Sequence, residues 1–80
     1  MDNENSVLLI KDYGRIHIKL KQALEKRGMN RNELSRAIGS RFEVVDKWYN
    51  GTLGTIDSDV LARICYVLNC KVEDLIEYEE

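Results

Sequence analysis

The residues that could carry chemistry in this 80-residue chain are mostly basic, and they are unevenly distributed. Residues 15–50 contain nine Lys or Arg and four Asp or Glu, for a net charge of +5. Residues 51–80 carry −5 and residues 1–14 carry −2. The overall charge of −2 would argue against a polyanionic partner, but a concentrated basic block is what a phosphate backbone selects. The distribution therefore favours nucleic acid, and a solvated charged face is the other interpretation.

No set of residues predicts catalysis, metal binding or a cofactor. His17 is the only histidine, and Cys65 and Cys70 lack the further ligands that a metal site needs. We expect both thiols to be reduced and structural. The chain has no Ser/His/Asp, Cys/His or phosphate-loop arrangement, so we expect neither an enzyme nor a small-molecule cofactor.

The length and the N-terminal residues limit the architecture and the location. Eighty residues allow one domain with a single modest core. The first residues are polar and acidic, unlike a signal peptide, and no apolar run approaches the roughly 18 residues of a membrane span. We expect a cytoplasmic protein without a membrane segment.

The basic block surrounds residues 30–51, which predict two short helices joined by a tight turn. Asn30 and Glu33 have the spacing of a capping box, while Gly39 and Gly51 suit the left-handed backbone at a helix end. Each half has apolar residues at i, i+3 and i+4, namely Leu34, Ala37 and Ile38 in the first and Val44, Val45 and Trp48 in the second. Trp48 is therefore expected in the core rather than stacked on a base. Two helices this short with a glycine turn predict a helix-turn-helix, whose second helix would be the DNA-recognition helix.

The flanking segments predict three further helices and a small hairpin. A helix from Leu20, or alternatively from Ile16, should end at Gly28, and Asp57 should cap a later helix. A short last helix is expected over residues 72–78, with Leu75 and Ile76 facing inward. Residues 7–10 are apolar and residues 15–20 alternate, which suggests a β-hairpin ahead of the first helix.

Together these motifs resemble the phage-repressor and Cro-like helix-turn-helix regulators, in particular their small bacterial branch. The resemblance covers residues 18–78, and it depends on Glu33-Leu34, Gly39, Trp48, Asn50-Gly51 and the closing LNC…DLIEY segment in register. It implies an all-α, compact five-helix DNA-binding domain whose third helix enters the major groove of double-stranded DNA, usually as a homodimer. We accordingly divide the chain into an N-terminal extension, residues 1–17, and a helix-turn-helix domain, residues 18–80.

The resemblance also implies which residues contact DNA. Arg31, at the start of the second helix, would contact a phosphate, and Arg36 would lie on the groove-facing side of that helix. Arg41, at the start of the third helix, would lie near the DNA backbone. Asn50 would bind a phosphate from the end of the recognition helix. The base-facing positions would be Phe42, Glu43, Val44 and Lys47.

Two features favour an alternative function, a protein-interaction module such as an antitoxin or adaptor that keeps this fold. Glu43 and Asp46 place two carboxylates on a helix that would approach a polyanion. The TLGT loop after Gly51 also lacks the basic residues that relatives often carry there. The charge of +5 on residues 15–50 favours DNA.

Overall fold

The structure, a computed structural model, describes residues 13–80. Its elements in chain order are β1 (Arg15–Ile18), α1 (Leu20–Arg27), α2 (Arg31–Ile38), α3 (Phe42–Asn50), α4 (Ser58–Leu68), a 3₁₀ turn (Val72–Asp74) and β2 (Ile76–Glu79). Within the described part of the chain there are four α-helices and a two-stranded sheet. The expectation of a compact five-helix domain is therefore wrong in its helix count. The strand expected within residues 15–20 is confirmed as β1. The start of the first helix at Leu20, rather than at Ile16, is confirmed.

All four helices end in the same way, and this confirms the predicted helix ends. Gly28, Gly39, Gly51 and Asn69 adopt the left-handed backbone at the four C-termini, with φ between 51° and 69°. The next residue in each case donates its N–H to the carbonyl five residues earlier, as in Ser40 to Ser35 at 2.9 Å. This hydrogen bond is the Schellman motif, which satisfies carbonyls that a helix end would otherwise leave free.

The helix starts also follow local chemistry. Asn30 accepts from the backbone N–H of Glu33 at 2.8 Å, and Glu33 accepts from the N–H of Asn30 at 2.9 Å. The predicted capping box is thus confirmed, as is Asp57 as the cap of α4. Because α2 is fixed at both ends by its own residues, its length does not depend on distant contacts.

One apolar core joins the four helices and the C-terminal segment. Trp48 is 1% exposed, which confirms its assignment to the core. Every buried apolar side chain of the described residues belongs to this one cluster: Leu20, Leu24, Leu34, Ile38, Val45, Trp48, Ile64, Leu68 and Leu75. Burying α3 through Val45 and Trp48 leaves the opposite side of that helix facing solvent.

The last predicted helix is instead a 3₁₀ turn followed by a strand. Asp74 caps the turn by accepting from the N–H of Lys71 at 2.9 Å, and β2 then pairs antiparallel with β1. The IEYE sequence of β2 alternates apolar and acidic residues, and seven residues are too few for a helix without extensive packing. The hairpin partner predicted at residues 7–10 lies outside the described residues, and the partner that the structure gives β1 is β2.

The sheet extends the core at one end. Ile18 lies opposite Ile76, and both pack against the core, while Ile16 lies opposite Tyr78 farther out. Ile16 and Tyr78 are 52% and 55% exposed. The sheet reaches Arg15, three residues before the boundary at which we placed the start of the domain.

Candidate nucleic-acid interface

The solvent side of α3 presents two parallel stripes of side chains. Glu43, Lys47 and Asn50 lie at i, i+4 and i+7, and all three are exposed. This stripe lies roughly opposite the buried Val45 and Trp48, so it projects farthest from the core. The neighbouring stripe, Phe42, Asp46 and Tyr49, has the same spacing and is less exposed.

Three of the basic side chains that we predict to contact DNA are free to bind a ligand. Arg36, Arg41 and Lys47 are exposed, and none of them forms a salt bridge with another described residue. Arg41 immediately precedes α3, and its own backbone is extended with ψ of 151°. A cationic side chain beside the free amides of a helix N-terminus is suited to an anion such as a phosphate.

Arg31 is in a different situation, because its guanidinium binds side chains of α3. Its Nη1 lies 2.5 Å from Oδ1 of Asp46, with the two side chains 40% and 35% exposed. Its Cζ lies 4.5 Å from the ring centroid of Tyr49 and 5.5 Å from that of Phe42. Arg31 therefore contacts all three members of the less exposed stripe of α3.

The other residues predicted to contact DNA differ in how much of their side chain is exposed. Phe42 is 38% exposed at the first turn of α3. Val44 is half-buried and packs against the core, so it presents less surface than Glu43 or Lys47. Asn50 is exposed at the last residue of α3, where Gly51 ends the helix.

Several basic residues of residues 15–50 form ion pairs or hydrogen bonds within the domain. Arg15 and Lys19 pair with Glu79 and Glu77 of β2, at 3.4 and 3.1 Å. Arg27 donates to the carbonyl of Leu68 at the end of α4. Ion pairs and capping hydrogen bonds thus occupy part of the positive charge that the sequence suggests for a ligand. Among the described residues, the basic side chains that remain unpaired in α2, in α3 and in the turn between them are Arg36, Lys47 and Arg41.

Sequence reasoning missed the aromatic side of this site. Tyr49 is not assigned a role there, yet its ring centroid lies 4.5 Å from Cζ of Arg31 and 6.0 Å from Nζ of Lys21. Asp46 was counted as a charge that opposes DNA, whereas the structure pairs it with Arg31. The spacing of Phe42, Asp46 and Tyr49 could have indicated a shared partner, but only the fold identifies that partner as Arg31.

Among residues 13–80, no three His, Cys, Asp or Glu side chains are grouped so that they could hold a metal ion. No helix in the described residues is long and apolar enough to cross a membrane.

Comparisons with known proteins identify the family and the fold of the chain. A family model described as the Cro/C1-type HTH DNA-binding domain matches residues 19–80. The chain is 30% identical to the transcriptional regulator VanUg, with a TM-score of 0.69, 85% of this chain and 89% of that chain being covered. A candidate DNA-binding protein from Bacteroides fragilis has the same fold, with 17% identity, a TM-score of 0.70, and 79% and 100% of the two chains covered. No curated protein matches the chain.

Proposed function

The chain belongs to the family of Cro/C1-type helix-turn-helix DNA-binding domains, and from this we propose that it is a sequence-specific transcriptional regulator that binds operator DNA with α3 in the major groove. The observation that carries the proposal is the outer stripe of α3, where Glu43, Lys47 and Asn50 are exposed together. The major groove of B-DNA accepts an α-helix and presents a distinct donor and acceptor pattern for each base pair. A regulator acts where its DNA is, so the proposal includes a cytoplasmic location.

The chemistry of this stripe suggests which bases it would select. Lys47 can donate to guanine O6 and N7, and Glu43 can accept from cytosine N4. Phe42, at the N-terminal edge, offers an apolar surface to a thymine methyl group. We therefore expect an operator half-site rich in G·C pairs at the centre of the α3 contact.

Phosphate contacts would come from residues on either side of this stripe. Arg36 and Arg41 flank the groove-facing surface, and Asn50 can donate from the end of α3. Such contacts fix register and orientation, whereas base contacts supply specificity. The family resemblance also predicts that Arg31 binds a phosphate, but its guanidinium already contacts Asp46.

The test is binding of the full chain to DNA fragments selected from a genomic library, measured by fluorescence anisotropy over a range of salt concentrations. With about two phosphates neutralised per domain, by Arg36 and Arg41, the slope of log K on log salt should be near −1.8. Arg41→Met should make the slope shallower by roughly 0.9. Lys26→Met is the matched control, because Lys26 is an exposed basic residue of α1, outside the two helices of the helix-turn-helix. Failure to bind any duplex at low salt would refute the proposal.

We also propose that the protein binds as a homodimer, because helix-turn-helix proteins typically place two recognition helices in successive major grooves of a two-fold operator. Light scattering at the protein concentration that saturates DNA measures the mass directly. A monomer that binds one half-site at that concentration would contradict this part of the proposal.

The alternative function, a protein-interaction module, depends on the acidic character of α3. Asp46 no longer counts toward it, because Arg31 neutralises that carboxylate within the domain. Glu43 remains as an exposed acid. If the folded protein does not bind DNA at low ionic strength, the result favours the protein-interaction module over the DNA-binding regulator.

A further inference from the structure

The contacts of Arg31 concern how α3 is held, a question that the proposed function depends on. α2 and α3 are separated only by residues 39–41. α3 is attached to the core by the buried Val45 and Trp48, and the half-buried Val44 and Tyr49 pack against the same core on either side of them. A contact from α2 to the flank of α3 adds a further restraint on the rotation and tilt of this helix.

Arg31 supplies such a contact over two turns of α3. It is the first residue of α2, and its guanidinium contacts Phe42, Asp46 and Tyr49, which follow one stripe from the first turn of α3 to the last. The bond to Asp46 is charge-assisted and short, at 2.5 Å. The planar guanidinium lies 4.5 Å from the Tyr49 centroid, a distance at which cation–π attraction is significant.

These contacts use Arg31 in a way that opposes a role as a simple phosphate ligand. Its charge is neutralised by Asp46 at close range, and any phosphate that approached the guanidinium would also approach that carboxylate. Base recognition requires side chains to be held within a fraction of an ångström and about 10–20° of the productive geometry. An arginine that connects the start of α2 to the flank of α3 meets that requirement.

We propose that Arg31 is a positioning residue: its guanidinium, held by Asp46 and close to the rings of Phe42 and Tyr49, fixes the orientation of α3 and so supports base recognition without binding a phosphate itself. This inference rests on the proposed function, since it concerns how the DNA-reading helix is oriented. It predicts that Asp46 acts with Arg31 as one unit, although Asp46 carries the charge that DNA repels.

The direction in which Asp46→Asn changes DNA affinity distinguishes a positioning role from a purely electrostatic effect. Asp46→Asn removes a negative charge from α3, so electrostatics alone would tighten DNA binding. If Asp46 holds Arg31, the same change should instead weaken binding to the selected operator, by roughly threefold to tenfold for a partly exposed pair with aromatic contacts. Asp59→Asn is the matched control, because Asp59 also pairs with an arginine, Arg63 at 2.9 Å, and its loss changes net charge equally.

The arginine variants test the same idea from the other side. Arg31→Met should weaken operator binding while leaving the salt slope unchanged, whereas loss of a phosphate contact would make the slope shallower by roughly 0.9. Arg31→Lys keeps the charge but not the planar guanidinium, so it should recover only part of the affinity. Combining Arg31→Met with Asp46→Asn should cost little more than Arg31→Met alone, because the two residues form one unit.

A readout without DNA keeps this inference separate from the proposed function. Urea unfolding of the two single variants and the double variant measures whether the pair is coupled in the free protein. If the wild type binds no DNA, the proposed function fails, but non-additive unfolding free energies would still establish the contact. Tighter operator binding by Asp46→Asn, or a shallower salt slope for Arg31→Met, would overturn the positioning role. Additive unfolding free energies would overturn the contact itself.

Discussion

Replacing Trp48 with alanine would test how strongly the recognition helix depends on the core. Trp48 is 1% exposed and is one of the two buried side chains of α3, with Val45 the other. The substitution removes the indole from the core cluster and leaves a large void among buried leucines and isoleucines. The cost depends on how far these side chains can collapse into that void.

The expected loss is large compared with the stability of the domain. Trp→Ala substitutions in protein cores typically cost about 3–5 kcal/mol. A chain of 80 residues has a total stability of about 4–12 kcal/mol at the usual 0.05–0.15 kcal/mol per residue. We therefore expect Trp48→Ala to remove at least about a quarter of the free energy of unfolding and to leave the domain partly unfolded if its stability is at the low end.

Urea unfolding followed by far-ultraviolet circular dichroism measures this loss, because the helical signal remains when the tryptophan is absent. Tyr66→Ala is the matched control: Tyr66 is an aromatic residue of α4 that is 86% exposed, and its loss should change stability by no more than about 0.5 kcal/mol. Equal small effects of the two substitutions would refute the core assignment and would favour a base-stacking role for Trp48.

Three other changes have expected outcomes. Glu43→Gln should tighten non-specific DNA binding and move the base preference from cytosine toward adenine, because glutamine pairs with adenine N6 and N7; selection of binding sites by the two proteins compares the preferences. Burial raises the pKa of the Cys70 thiol, and the neighbouring Cys65 raises it further, so the stability that this thiol contributes is present below its ordinary pKa of 9.0 and is lost as the pH rises through the higher folded value. The unfolding free energy should then fall more steeply above about pH 9 in the wild type than in Cys70→Ala, and parallel curves would contradict this. Arg27→Met should destabilise the domain by about 1–2 kcal/mol, measured by urea unfolding, because it frees the carbonyl of Leu68 at the end of α4, whereas the exposed Lys26→Met should have little effect.

The helices were predictable from the sequence because their limits are set by neighbouring residues. Asn30 and Glu33 cap each other three residues apart, and Gly39 and Gly51 end helices through their own backbone angles. None of these features needs information from the rest of the fold. The apolar stripes likewise predicted which sides of α2 and α3 face the core.

The sheet was not predictable in the same way, because its two strands are far apart in the chain. Ile18 pairs with Ile76, and each strand has only four residues. The acidic residues at 73 and 74 suited the first turn of a helix, and we extended that helix into β2. The alternation in IEYE is a local sign of a strand, but the strand that pairs with it, β1, lies about 60 residues earlier in the sequence.

The charge pattern shows most clearly where sequence reasoning needs the structure. A formal count treats Arg31 and Arg36 alike, because both are arginines of α2 within the +5 block. In the fold, Arg31 is bonded to Asp46, while Arg36 has no ion-pair partner among residues 13–80. The first can set the geometry of α3 and the second can neutralise a phosphate, since each charge is free to do only one of these. The two roles differ in salt dependence: loss of a phosphate contact makes the salt slope shallower, whereas loss of a positioning contact lowers operator affinity at every salt concentration and leaves the slope unchanged.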